Sequence, residues 1–320
     1  MNQPTLIAAS GDSIRESFGR QLAVEGISRE SLLVLDADVA GGTGAHHFRK
    51  DFGERFIQCG IAEQNMVGGA SGLAASGYLP VVTTFAAFFL RTIDQVRLSI
   101  AYANRNVKLV GSHAGLDVGP DGASAQCLED IAVFRAIPNM TVIVPSGPSE
   151  ARLATSAILD HIGPLYMRTG RSPVDEKAEG LDSFQIGKAL QLRPGFDLTI
   201  AACGPLLFEA IEASDLLAKE GIGARVLNIS TIKPIDRDAI VTAARETGLI
   251  ISIEDHNVLG GLGSAIAECS SEAHPVRVVR LGVADVFGES GNPKELYRKN
   301  GLTATDIVAA ARKADNHDES

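Results

Sequence analysis

Short, nearly continuous apolar runs, each closed by a small or polar turn and followed by a helical period, recur along this chain. They include LLVLD from Leu32, VVTTF from Val81, VKLVGS from Val107, TVIVPS from Thr141 and LYMRTG from Leu165. A strand that is apolar on both faces must be covered on both faces, which parallel strands linked through helices achieve. The pattern therefore predicts an α/β fold of three-layer α/β/α type. Strands are expected at Leu32 to Leu35, Val81 to Thr84, Val107 to Val110, Thr141 to Val144 and Leu165 to Arg168. Helices are expected over Ile14 to Glu25, Glu63 to Ala75, Thr92 to Ala103, Leu128 to Arg135 and Ser149 to Asp160. With 33 glycines, no tryptophan and only 5% aromatics, the composition suits many strand-to-helix turns.

A length of 320 residues is long for one core. The stretch RSPVDEKAEGLD after Gly170 is polar, contains Pro173 and has no apolar period, so a domain boundary is expected there. This gives a first domain over 1–175, a linker over 176–190 and a second, smaller domain over 191–320. LTIAACG (Leu198 to Gly204), an amphipathic helix over Leu206 to Glu220 and the run Ala224 to Ile229 read as a right-handed βαβ crossover that opens the second domain. Further strands are expected at Leu249 to Glu254 and Val276 to Arg280, then a helix over Thr303 to Ala314. The charged tail DNHDES is expected to be disordered.

Several function classes are disfavoured. A net charge of −10, from 39 acidic and 29 basic residues with no local basic patch, repels a nucleic-acid backbone. The segment MNQPTLIAASGDS lacks a basic region followed by an apolar core, and no run reaches the roughly 20 apolar residues of a membrane span. Cys59, Cys127, Cys203 and Cys269 are widely separated, which implies a reduced, cytoplasmic setting. Neither they nor the seven histidines show a metal-ligand spacing, so no metal site is expected on this chain.

GIAEQNM (Gly60 to Met66) places Glu63 at a strand-to-helix junction, where a helix N-terminus favours negative charge. After the next strand comes TTFAAFFLRTIDQVR, with Phe85, Phe88 and Arg91 at intervals of three. Such groups can wall one side of a flat ring, although helix capping and plain core packing also use these residue types.

These strings in order, followed by SHAGLDVGPDGASAQCLEDIAVFRAIPNMTVIVPS (Ser112 to Ser146), resemble the pyrimidine-binding domain of the transketolase family. EDHNVLGGLGSAIAE (Glu254 to Glu268) and VFGESG (Val286 to Gly291) resemble the family's C-terminal domain, so the likeness covers nearly the whole chain. It implies a thiamine diphosphate enzyme that transfers a two-carbon ketol unit between sugars or sugar phosphates. Glu63 is then the acid that hydrogen-bonds a ring nitrogen of the cofactor's aminopyrimidine and helps activate it, a role that needs a carboxyl able to hold or share its proton. Phe85 and Phe88 pack on the pyrimidine, Arg91 lines its pocket and Asp38 lies near the cofactor. His113 stands near the reacting end of the substrate. Asp121 recognises a substrate hydroxyl, and Arg15 and Arg168 hold a sugar phosphate through their forked donors.

Two positions depart from the family pattern. Ala125 stands where a THQ triplet carries histidine, and Gly42 stands where a phosphate-binding serine is often found, so substrate recognition has drifted or His46 or His47 substitutes. The diphosphate and Mg²⁺ motif of the family is absent, since the one GPDG string lies in the wrong domain. The resemblance therefore implies a split enzyme, with a partner chain that holds diphosphate and Mg²⁺, and self-association into a dimer or heterotetramer. A beta subunit of a 2-oxo acid dehydrogenase complex, a deoxyxylulose-phosphate synthase fragment and a noncatalytic partner-binding subunit remain the competing readings.

Overall fold

The computed structural model describes residues 12–176 and 180–315, so the expectations for the first eleven residues and for the DNHDES tail after Asp315 concern residues outside that range, while Asp315 itself ends the helix Ala304–Asp315. The expected strands form, with small shifts in their bounds, and three short strands, Phe56–Gln58, Leu190–Arg193 and Thr231–Lys233, join them without having been expected. The first domain contains β1 (Leu32–Asp36), β2 (Phe56–Gln58), β3 (Leu79–Phe85), β4 (Lys108–Ser112), β5 (Thr141–Ile143) and β6 (Leu165–Thr169). The second contributes β7 (Leu190–Arg193), β8 (Leu198–Ala202), β9 (Ala224–Asn228), β10 (Thr231–Lys233), β11 (Leu249–Asn257) and β12 (Arg277–Val283). One sheet has seven strands in the order β10-β5-β6-β4-β3-β1-β2, and the other has five in the order β12-β11-β8-β9-β7. Neighbouring strands are parallel except at β10 on β5 and at β7 on β9. Every residue of β1, β4, β6, β8 and β9 is buried, the pattern that continuous apolar runs require.

Four helices position the site: α1 (Ile14–Gly26), α2 (Ala40–Thr43), α3 (His46–Asp51) and α4 (Glu63–Ala75). Ser13 caps α1 by accepting from the Glu16 amide, and Ile14, Phe18 and Leu22 bury one face of the helix. The single helix expected over Thr92 to Ala103 is instead segmented. A short α segment, Ile93–Gln95, runs into a π-helical turn over Val96–Tyr102, closed by an Arg105 amide to Ile100 carbonyl bond of 2.9 Å. Among the described residues no helix is long and apolar enough to cross a membrane.

The domain boundary is less simple than its composition suggests. After the polar stretch, Phe184 and Ile186 pack back on the first domain's core. The second domain then sends β10 across to pair antiparallel with β5. A strand of three residues carries too little pattern to be read from sequence. Lys233 at its end anchors the crossing by donating to the carbonyls of Arg135 and Ile137, at 2.9 and 2.6 Å.

Between the domains lies a buried ionic group centred on Arg168. Its Nε stands 3.2 Å from Asp130, Nη1 donates to the Asp255 carbonyl at 2.8 Å, and Nη2 donates to the Cys127 carbonyl at 3.1 Å. Burial alone would lower the basicity of this guanidinium, but the carboxylates of Asp130 and Asp255 hold it above its ordinary value. Tyr166 donates to the same Asp130 oxygen at 2.6 Å. Breaking a buried pair by removing one partner leaves an uncompensated charge. Arg168→Met should therefore lower unfolding free energy by about 3–5 kcal/mol, measured by urea denaturation. A loss below about 1 kcal/mol, the range of exposed ion pairs, would contradict this assignment.

Candidate active site

The parallel strands β1, β2, β3, β4 and β6 all end at one edge of the first sheet, where open α/β sheets bind their ligands. The candidate residues sit just beyond those ends. Glu63 is the first residue of α4, and its side chain is 3% exposed. Both of its oxygens lie near Arg91 Nη1, at 3.3 and 3.4 Å. Arg91 in turn covers the Phe88 ring, 5.0 Å from its centroid. Phe88 stacks on Phe85 at 5.3 Å, and Phe85 stacks on His113 at 3.8 Å with an interplanar angle of 16°. One continuous row of flat groups thus runs from the buried carboxylate to the imidazole.

His113 ends this row with a left-handed backbone, φ 55°, immediately after β4. The Ser112 hydroxyl donates to the Gly42 carbonyl at 2.8 Å and lies 2.7 Å from His113 Nδ1. A hydroxyl that gives its proton to a carbonyl accepts from the other neighbour, so Nδ1 carries hydrogen and Nε2 is the acceptor. Arg15 Nη1 faces that Nε2 at 3.5 Å and donates to the Gly42 carbonyl at 3.0 Å. Burial, then the charges of Arg15 and Arg171, push the imidazole down to about 3. His113 is consequently a neutral hydrogen-bonding group at physiological pH.

Gly42 is explained by the same geometry. A Cβ at this position would stand 2.6 Å from the Phe85 ring, so the serine often found there would collide with the aromatic row. Asp38 lies on the exposed rim beyond β1, with φ 64° and its amide held by Gln58 at 3.0 Å. The loop after β4 carries Asp121, which pairs with Arg171 at 3.3 Å. Asp117, buried in that loop, accepts from the amides of Arg171 and Ser172 at 2.6 and 3.0 Å. Ala125 is half-buried in the same loop.

Two sequence-based expectations change. Arg168 does not face the site; all three guanidinium nitrogens are turned into the domain junction, as described above. Arg171, three residues further along and just past the end of β6, is the arginine that reaches Asp121 and acts electrostatically on His113. The two share one RTGR string, and only the length of β6 decides which is inside. His46 and His47 turn toward Glu16 rather than toward His113 or Gly42.

Residues 11–176 match the family described as transketolase, pyrimidine binding domain, and residues 187–307 match transketolase, C-terminal domain. The chain belongs to the transketolase family. It is 42% identical over 314 residues, 98% of both chains, to the 6-deoxy-6-sulfo-D-fructose transketolase subunit SqwH of Clostridium sp. strain MSTE9. It is 38% identical over 299 residues to an apulose-4-phosphate transketolase subunit of Phocaeicola vulgatus, covering 93% of this chain and 96% of that one. Among solved structures, one titled split gene transketolase, inactive beta4 tetramer, superposes with a TM-score of 0.89 at 44% identity. It covers 95% of this chain and 98% of the other. These likenesses favour a transketolase-like transferase over the 2-oxo acid dehydrogenase and deoxyxylulose-phosphate synthase readings.

The neutral state of His113 has a measurable consequence. The unfolded chain takes up a proton on this imidazole below pH about 6.5, whereas the folded chain does not until about pH 3. The contribution is therefore complete above pH 6.5 and is lost as pH falls toward 3. Relative to His113→Gln, the parent protein should lose about 1.4 kcal/mol of stability per pH unit between pH 6 and 4. Parallel stability profiles for the two proteins would show that the imidazole is not held neutral.

Proposed function

We propose that this chain is the aminopyrimidine-binding subunit of a split transketolase that moves a two-carbon ketol unit between sugars carrying an anionic end. The observation that supports this most directly is the buried Glu63 carboxylate beside a row of flat rings that ends at a neutral imidazole flanked by two arginines. An aminopyrimidine fits such a place, since it needs an acid at a ring nitrogen and an apolar aromatic face, which Phe85 and Phe88 offer. Asp38 on the rim would lie toward the rest of the cofactor. Thiamine diphosphate, when bound, supplies the carbon nucleophile that carries the transferred unit.

The chain's own residues then divide the remaining work. Glu63 would hold a proton at the pyrimidine nitrogen, and Arg91 shields that carboxylate from the solvent side. His113 would hydrogen-bond a substrate oxygen through its Nε2 lone pair or, with the ring turned, through its N–H. Asp121 would accept from a hydroxyl, and Arg15 and Arg171 would hold the anionic end by charge-assisted bonds. The two relatives' names specify a sulfonated and a phosphorylated sugar. A pair of arginines without a dedicated serine or second histidine suits either kind of terminal anion.

A partner chain would bring the diphosphate and Mg²⁺ contacts. The surface beside Glu63 supports an association of this kind. Ile61 and Tyr102 are 79% and 84% exposed, Leu98 is also exposed, and a Cβ at Gly68, Gly69 or Gly72 of α4 would meet open space. Large apolar side chains around an exposed helix with small residues mark a face that another chain covers. We assign the face to assembly with the partner and with a second copy, giving a heterotetramer. All four cysteines are free thiols, which agrees with a cytoplasmic enzyme.

Two measurements test this reading. The chain alone should show no ketol transfer and bind thiamine diphosphate weakly by calorimetry, with activity appearing on addition of the diphosphate-binding chain. In that reconstituted complex Glu63→Gln should slow hydrogen-deuterium exchange at the thiazolium carbon at least about 100-fold, within the range attributed to general acid-base groups. The loss should appear in turnover more than in substrate affinity. Near-normal exchange in the variant would leave Glu63 as a helix-terminal acid paired with Arg91.

A further inference from the structure

The sequence motif rule for α1 is not followed by its third residue. In the pattern Ser13-Ile14-Arg15-Glu16, a glutamate at this place ordinarily reaches back to the amide of the capping serine. Here that amide is taken by Asp12 Oδ1 at 2.9 Å. Glu16 is left to turn outward, toward the start of α3. His47 Nε2 stands 2.8 Å and His46 Nε2 stands 3.9 Å from the same Glu16 oxygen, and the two imidazole centroids are 4.1 Å apart. Consecutive side chains on a helix diverge by about 100°, so two neighbouring histidines meet at one carboxylate only through a particular pair of rotamers.

We infer that Glu16, His46 and His47 bind one divalent transition-metal ion of the zinc type at the joint between α1 and α3. One donor atom from each residue lies within 4.8 Å of the others. Metal bonds of about 2.0–2.2 Å in a tetrahedral set place ligand atoms roughly 3.4 Å apart, and the observed 2.8 and 3.9 Å bracket that separation. Small side-chain rotations would equalise them. His46 Nδ1 lies 3.4 Å from the Ala40 carbonyl, the outer contact that fixes a ligating imidazole with its Nε2 free for metal. Two imidazoles and one carboxylate select zinc, cobalt or nickel over magnesium, which prefers oxygen ligands and retained water.

The side chains are between 25% and 35% exposed, so an ion can enter and a fourth position stays open to solvent or an anion. The charged groups around the cluster are Arg15, whose Nε is 4.0 Å from the second Glu16 oxygen, and Arg20, Lys50 and Asp51, which line a cavity with His47. This ion is separate from the Mg²⁺ of the cofactor, and its binding does not depend on the proposed ketol transfer. It would join α1 to α3 next to the arginine that contacts His113 and the Gly42 carbonyl. A metal here would draw Glu16 away from Arg15 and leave that guanidinium to the site.

The test is titration of Co²⁺ into the metal-stripped full chain, followed by its visible d–d absorption and by calorimetry. The expected result is uptake of one equivalent with the spectrum of a low-symmetry site, displacement by Zn²⁺ and no displacement by a large excess of Mg²⁺. Glu16→Gln and the double variant His46→Asn, His47→Asn should each weaken binding by more than the about 10–100-fold typical of outer contacts. His274→Asn, at an exposed histidine elsewhere, should bind as the parent does. Circular dichroism checks that each variant is folded. Zn²⁺ should also raise the melting temperature of the parent and leave that of the double variant unchanged. Absence of one-equivalent uptake, uptake that survives in the folded double variant, or displacement by Mg²⁺ would overturn the assignment.

Discussion

The buried ionic group around Arg168 is the interaction on which the relation of the two domains depends. An arginine near the end of a fully buried strand is costly unless its charge is compensated, and here both domains supply the compensating groups. Asp130 and the Cys127 carbonyl come from the first domain, and the Asp255 carbonyl comes from the second. Asp255 uses its carboxylate in the opposite direction. It accepts from the amides of Leu116 and Asp117 at 2.8 and 3.2 Å and from the Tyr297 hydroxyl at 2.8 Å. The second domain therefore holds the start of the loop that carries Asp121 at the edge of the candidate site. Gly115, with φ 76°, is required at the point of contact, because a Cβ there would lie 2.2 Å from Asp255 Oδ2.

That loop and the aromatic row meet at His113, and the meeting explains why the imidazole is neutral. It is stacked on one side by Phe85, hydrogen-bonded by Ser112 and faced by Arg15. Protonation would place a third positive charge beside Arg15 and Arg171 in a region with little water. The arrangement sets a polar but uncharged group beside two fixed cations, Arg15 and the Arg171 that is paired with Asp121. It also accounts for the small residue at position 42, since the Phe85 ring closes on the Gly42 backbone from which Ser112 and Arg15 take their acceptor.

The architecture was legible because it rests on local patterns. The run LLVLD becomes β1, and the expected helix Glu63 to Ala75 forms with those bounds. The order of motifs also brought Glu63, Phe85, Phe88, Arg91 and His113 into one row, which single residues could not have indicated. Four features were not legible, three of them because they depend on distant partners. β10 has three residues and takes its strand character from β5. Arg168 and Arg171 look alike in sequence and are separated by where β6 ends. Glu16 lies thirty positions before His46, so no ligand spacing reveals that both reach the same point. The segmented helix after Phe89 belongs with these, since its π turn departs from the period that predicted it.

The apolar face next to Glu63 is part of the same construction as the site. Gln64, the next residue of α4, donates to the Arg91 carbonyl at 2.9 Å, and Ser71, about two turns further along the same face, donates to the Ser99 carbonyl at 2.6 Å. These bonds fasten α4 to the segment that carries Arg91 at one end and Leu98 and Tyr102 at the other. Any chain that covers Ile61, Leu98 and Tyr102 therefore presses on the two elements that hold the Glu63 carboxylate and its arginine. Among the described residues Arg91 is the one charged group paired with that carboxylate, and Arg91 is half exposed. If a partner chain covers this face, as proposed, excluding water from it would strengthen the electrostatic contacts at Glu63, and association and completion of the site would be a single physical event.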